Sequence, residues 1–280
     1  MEKQVSYNGK SYPEGSPLVG SANRGLRYGD GVFETIKVKD GALLLGAFHF
    51  ERLWKGLAAL HFIIPPHFTP HFLEEEILGL CRRNGHAGLG RVRLNLFRGD
   101  GGVNDPISHH PHYIIETWPL ERGFTSAESN GLEIAVFPDG RKVIDAYSNL
   151  KSNNYLVYLM GALWAKENRL NECLILNSRE QVADASISNL FYVRGSTVCT
   201  PPLSEGGVDG VMRRYLLSEL PGWGYVVLEE PVGPDALLEA DELFVTNAIT
   251  GIRWIQRFGE RRYVHPVSAG ICGILERKLS

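Results

Sequence analysis

The stretch DAYSNLKSNNYLVYLMGALWAKENRL, residues 145–170, holds one early lysine, Lys151, among small polar residues, and an apolar helical run follows at once. The run reads as a helix from about residue 153 to 168. It is apolar nearly all round, which predicts that the helix is buried and that its start lies inside the protein. Most lysines are solvated. A cation at a helix start also meets the positive end of the dipole. Burial and dipole both lower an ammonium pKa, as a Schiff-base amine requires.

Upstream, GVFETIKVKDGALLLG reads as a strand, a turn at Asp40-Gly41 and a second strand. HFERLWKGLAALHF spaces Leu53, Leu57 and Leu60 as a helix does, and HFLEEEILGLCRRNG is a second helix with Gly85 as its stop. RVRLNLFRG alternates: Arg91, Arg93, Asn95 and Phe97 share one strand face, and Val92, Leu94 and Leu96 the other. HYIIETWPL is its hairpin partner. The polar stretch ERGFTSAESNG, residues 121–131, reads as a linker between a smaller domain, 1–120, and a larger one, 132–280. Downstream, strands LEIAVF, ECLILN, NLFYVRGSTVCTPP and YVVLEE alternate irregularly with helices near VDGVMRRYLLSEL and DALLEA, and DELFVTNAITGIRWI follows. The fold class is α/β or α+β in two domains.

The 280 residues are 44% hydrophobic and 22% charged, so the chain reads as soluble and globular. A net charge of -3 gives no support for a nucleic-acid or membrane-surface partner. There is no 18-residue apolar run and no signal-peptide pattern at the start, so a cytoplasmic protein is expected. Cys81, Cys173, Cys199 and Cys272 are far apart and suit reduced thiols.

Several short stretches carry chemistry. RYGDGVFETIKV passes from a tight turn into a strand with Tyr28, Phe33 and Glu34. HFERL sets His49 and Arg52 three apart on one helical face, where an exposed arginine is the ordinary expectation. VADASISNLFYV puts Asp184 and Asn189 around small residues. GVDGVMRRYLL is a glycine-punctuated loop entering a helix, and the free N–H groups of such a start suit a phosphate. ADELFVTNAITGI ends a buried strand in Thr246-Asn247-Ala248. His109, His110 and His112 cluster in SHHPHY, but Pro111 breaks the spacing, so a surface loop is expected and no metal.

In their order along the chain, YGDGVFE, HFERL, LKSNNYL, SNLFYV with TPPL, GVMR and DELFVTNA resemble the fold-type-IV pyridoxal-phosphate enzymes, the class-IV aminotransferases. That family includes branched-chain and D-amino acid aminotransferases and aminodeoxychorismate lyases. The resemblance runs from about Tyr28 to Ile252. It implies a pyridoxal 5'-phosphate cofactor at the interface of the two domains. Lys151 matches the lysine of the internal aldimine, and Arg52 the phosphate-binding arginine. Asp184 falls where the family has Glu, the carboxylate on the pyridine nitrogen. Val211, Met212, Asn247 and Ala248 match the phosphate-contacting turns, and Tyr155 the partner of the phenolic oxygen. Arg93, Tyr28 and Arg98 are implied for substrate carboxylates, and Glu34 for the substrate site beside them.

The resemblance is mixed within the family. Asp184 is one methylene short, and Met212 stands where transaminases have Thr. Met212 and Asn247-Ala248 resemble the lyase branch, as Glu34 and Arg93 resemble the transaminase branch. Val103 stands where lyases carry an arginine. The expectation is a branched-chain-like aminotransferase acting on an amino acid and a 2-oxo acid, as a homodimer. The alternatives are an aminodeoxychorismate lyase, releasing pyruvate and 4-aminobenzoate, and a non-catalytic relic.

Overall fold

The computed structural model describes residues 2–121 and 131–279. Residues 122–130, most of the linker expected at 121–131, lie outside them. The chain forms two compact units. One comprises the residues up to Glu121 together with Leu150–Asn154, and the other comprises Gly131–Asn149 and everything from Tyr155 on.

The first unit holds β1 (Gln4–Tyr7), β2 (Lys10–Pro13), α1 (Arg24–Tyr28), β3 (Gly31–Lys39), β4 (Ala42–Leu43), α2 (Gly46–Ala59), α3 (Pro70–Arg83), β5 (Leu89–Arg98) and β6 (Pro111–Pro119). The strands make one antiparallel sheet in the order β2-β1-β6-β5-β3-β4. The turn expected at Asp40-Gly41 is there, and both residues have positive φ, as a two-residue hairpin requires. Alternation sorts the faces of β3 and β5. Ile36, Val38, Val92, Leu94 and Leu96 pack on Leu53 and Leu57 of α2 and Leu73 and Ile77 of α3. Phe33 pairs with Asn95 and Thr35 with Arg93 on the opposite face. The helix α3 starts with Pro70 in its first turn and Thr69 accepting from the Phe72 amide, and ends at Asn84 before Gly85.

Residues 151–153 extend this sheet. The Phe33 N–H donates to the Lys151 carbonyl at 2.9 Å, the Asn153 N–H donates to the Gly31 carbonyl at 2.9 Å, and Val32 bridges Ser152. Lys151 is therefore held by strand pairing and not by a helix start.

The second unit holds β7 (Leu132–Lys142), α4 (Leu156–Glu167), β8 (Glu172–Asn177), β9 (Val182–Ala185), β10 (Asn189–Arg194), β11 (Thr197–Thr200), α5 (Val211–Glu219), β12 (Val226–Glu229), α6 (Pro234–Leu237), β13 (Glu242–Asn247), β14 (Gly251–Phe258), β15 (Arg261–Arg262) and α7 (Pro266–Lys278). Its mixed sheet runs β12-β11-β10-β13-β14-β7-β8-β9, with β15 on β14. Parallel pairs β7–β8 and β11–β12 are joined through α4 and α5, as parallel neighbours require crossovers. Leu174, Leu176, Leu190, Leu243, Val245 and Ile255 form its core.

The expectation for α4 is corrected here. The helix begins at Leu156, after Lys151, and it buries only Tyr158, Gly161 and Ala165. Leu156, Leu159, Met160 and Leu163, at helical spacing, are exposed. Apolar residues all round do not imply burial all round. The buried face packs close through Gly161, where a Cβ would come within 2.8 Å of Ile175 and 2.9 Å of Cys173 Sγ. All four cysteines are buried free thiols. Among the described residues no helix is long and apolar enough to cross a membrane.

Gly31 tests the seam between β3, β5 and the Lys151 segment. A Cβ there would strike the Leu96 carbonyl oxygen and lie 2.6 Å from Asn153 Nδ2 and 2.9 Å from Phe97 Cα. The Asn153 amide can shift, but the β5 backbone at Leu96 and Phe97 cannot yield as a side chain can, so Gly31→Ala should cost about 1–3 kcal/mol. Urea unfolding with parental stability would show that the seam is looser than this.

Candidate active site

In the first unit, β3 sends Phe33 and Glu34 to opposite sides. Lys151 Nζ lies 4.4 Å from the centroid of the Phe33 ring, and the Arg93 guanidinium carbon lies 4.1 Å from it. An amine and a guanidinium thus share one phenyl ring, whose electron-rich face favours cations. Arg93 reaches there because it pairs with Thr35 across β3–β5.

On the other side of β3, Glu34 is buried and grips α2. Arg52 Nε donates to Oε1 at 2.7 Å and Nη2 donates to Oε2 at 2.5 Å, while His49 Nδ1 lies 2.7 Å from Oε2. Arg52 is buried as well, against the ordinary expectation for an arginine. Burial pushes the Glu34 carboxyl up, but the charges of Arg52 and His49 and their hydrogen bonds outweigh it and hold it at about 2. Burial pushes His49 down, Glu34 partly restores it, and the charges of Arg52 and Lys151 lower it again. His49 Nε2 is buried with no hydrogen-bond partner among the described residues. Glu34, which the resemblance implies for the substrate site, is bonded here to Arg52 and His49.

Tyr28 closes α1, half exposed, with Arg24 over its ring. Arg98 is spent within the fold: Nε donates to Asp30 at 3.0 Å, Nη1 lies 2.7 Å from His109 Nδ1, and Nη2 donates to the Leu60 carbonyl. The other two histidines of that stretch bond to distant segments, His110 with the Ile63 carbonyl and His112, which stands on β6 and not in a surface loop, with Tyr7 and Asn8. Among the described residues no group of three His, Cys, Asp or Glu could hold a metal ion.

In the second unit, Asp184 is buried on β9. Asn189 Nδ2 donates to Oδ1 at 2.6 Å, and the Val208 N–H and the Tyr158 hydroxyl donate to Oδ2 at 2.7 and 3.1 Å. Burial nevertheless pushes this carboxyl up to about 6; the hydrogen bonds and the charge of Lys142 only partly offset it. The Val208 loop lies close on the strands because of its glycines. A Cβ at Gly207 would strike the Ala183 carbonyl oxygen, and one at Gly210 would strike Asn189 Oδ1. Gly210 is also the N-cap of α5 and, having no side chain, gives the first amides of the helix no cap hydrogen bond. Val211 and Met212 are both buried.

Asn247 ends β13 and organises the turn after it. Its Oδ1 accepts from the Ile249 and Thr250 amides at 3.0 and 2.8 Å, and Nδ2 donates to Ser188 at 3.2 Å. Ala248 lies within that turn. Thr246 Oγ1 is buried with no hydrogen-bond partner among the described residues. Tyr155 stacks on Tyr158 at 4.6 Å and donates to the Ser186 carbonyl at 3.3 Å. Two residues escaped the sequence reading. His49 was noted only for its spacing from Arg52. Tyr158 was read as part of an apolar helix, although an –OH in such a run is itself a signal that a buried acceptor waits for it.

The model of the amino-transferase class IV family matches residues 31–258. The aminodeoxychorismate lyase of Bacillus subtilis (strain 168) is 28% identical over 92% of this chain and 88% of its own. A putative branched-chain-amino-acid aminotransferase of Methanocaldococcus jannaschii is 27% identical over 89% of this chain and 85% of its own. The branched-chain aminotransferase from Thermoproteus uzoniensis, solved with norvaline, shares the fold at a TM-score of 0.87, with 24% identity over 99% of this chain and 94% of that one. The chain belongs to the class IV aminotransferases, a family of pyridoxal-phosphate-dependent enzymes of fold type IV.

Two stability measurements test the site. Glu34 has a lowered pKa, so its contribution is complete above about 4.5 and disappears as pH falls through about 2. Glu34→Gln should cost about 3–5 kcal/mol near pH 7, because it strands a buried arginine. The gap to the parent should narrow below pH 4.5 by about 1.4 kcal/mol per unit. A gap that stays constant to pH 3 would contradict the ion pair.

Asp184 has the opposite sign. Its folded pKa is raised, so the folded state holds a proton that the unfolded state has lost, and stability falls as pH rises from 3.8 to about 6. Cofactor-free Asp184→Asn should therefore gain on the cofactor-free parent across that window, by about 2–3 kcal/mol. A difference that does not change with pH would mean the carboxyl is not strained by burial.

Proposed function

We propose that this chain is a branched-chain-type aminotransferase, moving an amino group from an amino acid to a 2-oxo acid with pyridoxal phosphate as cofactor. The observation that carries the reading is the shared contact of Lys151 and Arg93 with the Phe33 ring. In an amino acid the carboxylate is bonded to the very carbon that loses its proton. A guanidinium for the one beside an amine for the other matches that substrate.

The residues present fit the cofactor. Asp184 is a buried carboxylate that burial disfavours as an anion, so a cationic ring N–H would relieve it. The start of α5 has no side-chain cap from Gly210, and anions suit such a start. Arg52, Lys151, Tyr155, Asp184, Val211, Met212, Asn247 and Ala248 would hold the group. When bound, it supplies a carbonyl carbon for amines and a ring that draws electrons from Cα.

The chain's own residues do the rest. Arg93 orients the carboxylate, with Tyr28 as a second candidate. The Lys151 amine takes the proton from Cα and returns it one conjugated position away. Glu34 and His49 keep Arg52 in one rotamer, so that its charge can meet phosphate without a further ordering cost. Asp184 holds a proton at the ring nitrogen. The donor leaves as a 2-oxo acid, and a second 2-oxo acid accepts the amino group. A homodimer is part of this reading, and the exposed apolar stripe of α4 supports it.

The second reading is aminodeoxychorismate lyase. Met212 and Ala248 favour it: neither offers a hydroxyl at the phosphate-side turns, and the Bacillus subtilis relative carries that name.

Loaded enzyme given L-leucine alone should release one equivalent of 2-oxo acid per site, and 2-oxoglutarate should then take up the amino group. Lys151→Ala should lower this release by roughly 10²–10⁴-fold or more with the fold unchanged. Borohydride reduction should place the cofactor on Lys151. An adduct on Lys142 or Lys166 would remove the assignment. Pyruvate and 4-aminobenzoate from aminodeoxychorismate, with no amino transfer, would establish the lyase reading.

A further inference from the structure

Asp184 is the residue in which this chain departs from the glutamate that its resemblance leads one to expect, and its surroundings show how the shorter side chain is held. Its two oxygens are unequal. Oδ2 receives two donors, the Val208 N–H at 2.7 Å and the Tyr158 hydroxyl at 3.1 Å, whereas Oδ1 receives Asn189 Nδ2 alone, at 2.6 Å. A carboxylate oxygen accommodates about two donors in its plane, so Oδ2 is filled and Oδ1 keeps one position.

The Tyr158 hydroxyl is delivered by a ring that cannot swing. The residue is 2% exposed, its ring stacks on Tyr155 at 4.6 Å with 24° between planes, and Lys142 Nζ sits 4.9 Å from its centroid. Burial, the charge of Asp184 and the proximity of Tyr155 push the phenol pKa well up, so the group remains an O–H donor throughout the working pH range.

We propose that Tyr158 is a positioning residue for Asp184: together with the Val208 amide it occupies Oδ2 and leaves Oδ1 as the oxygen that receives the N–H of a protonated pyridine ring. The proposal rests on the pyridoxal-phosphate reading above. It makes Tyr158 the compensation for the missing methylene. A longer glutamate could be anchored by its own reach, but the shorter aspartate is steered by a hydroxyl that comes from α4.

The charges around the pair act in both directions. Lys142, at the end of β7, favours the Asp184 anion. Glu172 on β8 is a second buried carboxyl, raised by burial to about 7, and the charge of Asp184 adds to that rise. Arg253 on β14 acts on Glu172. Tyr155 and Tyr158 come from α4, and Asn189 from β10. Removing the Tyr158 hydroxyl takes away one group that stabilises the anion and leaves the others in place.

The test uses full-length protein. Carbon-13 carboxyl NMR on cofactor-free parent and Tyr158→Phe, with Asp184→Asn for assignment, reads the Asp184 titration directly. The variant should titrate higher, by on the order of one pH unit, because the lost bond favoured the anion. An unmoved titration overturns the proposal, even if activity falls. Pyridoxal phosphate affinity, by equilibrium titration, should weaken roughly tenfold in Tyr158→Phe. If the parent binds no pyridoxal phosphate, the cofactor reading and the ring-nitrogen role of Oδ1 both fall, while the titration still decides the hold of Tyr158 on Asp184. A second pair of variants separates positioning from packing. Asp184→Glu alone pushes a longer carboxylate toward a hydroxyl already in contact, and adding Tyr158→Phe makes room for it. The hydroxyl deletion should thus improve cofactor affinity in the glutamate background and worsen it in the aspartate background. The same sign in both would overturn the positioning role.

Discussion

Everything proposed for Lys151 depends on two backbone hydrogen bonds, those joining Phe33 to Lys151 and Asn153 to Gly31. They add a short strand to the edge of β3 and fix the lysine beside the ring that Arg93 also touches. A lysine on a free loop would lose the entropy of ordering its backbone each time it acted. Here that ordering is already done by the sheet. The same strand alternation that turns Phe33 toward the lysine turns Glu34 away from it, into contact with α2. One strand therefore supports the Lys151 amine on one face and a buried ion pair on the other.

The two buried carboxyls illustrate opposite uses of a low-dielectric interior. Glu34 receives the Arg52 guanidinium together with His49 and is held ionised far below the usual carboxylate range. Asp184 receives mainly neutral donors and is pushed up to about 6. The first is finished within the protein. The second is satisfied in hydrogen bonds but not in charge, and a cationic ligand would complete it. That contrast separates a carboxylate completed inside the fold from the one proposed to meet a ligand.

The sequence shows the alternating strands well. The period-two pattern of RVRLNLFRG places Val92, Leu94 and Leu96 in the core, because one buried face leaves only one workable register. Asp40-Gly41 is equally legible, since its backbone conformation restricts residue type. Helix α4 is not. Its apolar residues serve a packed face and an exposed stripe, and composition cannot separate them. The hairpin β1–β2 is legible too, since Asn8-Gly9 between Tyr7 and Lys10 has both residues at positive φ, whereas helix α7 has no strong periodic signal of its own and is held by the last strands of the second sheet. At the site, motif order pointed to Arg52, Lys151 and Asp184. The partners Glu34, His49 and Tyr158 are set by contacts between segments distant in sequence, which no local pattern reports. Arg98 shows the converse, a well-placed guanidinium whose bonds are taken up inside the fold.

The four thiols carry a consequence for handling the protein. Burial pushes Cys81 to about 11 and Cys173 to about 12, and raises Cys199 as well. The thiolate is the form that oxidises, exchanges or alkylates, so the folded chain offers almost no reactive sulfur. Its redox surroundings reach it only through unfolding. Sulfur cross-links between molecules, which need an oxidant as well as an accessible thiolate, would therefore mark molecules that had lost their structure.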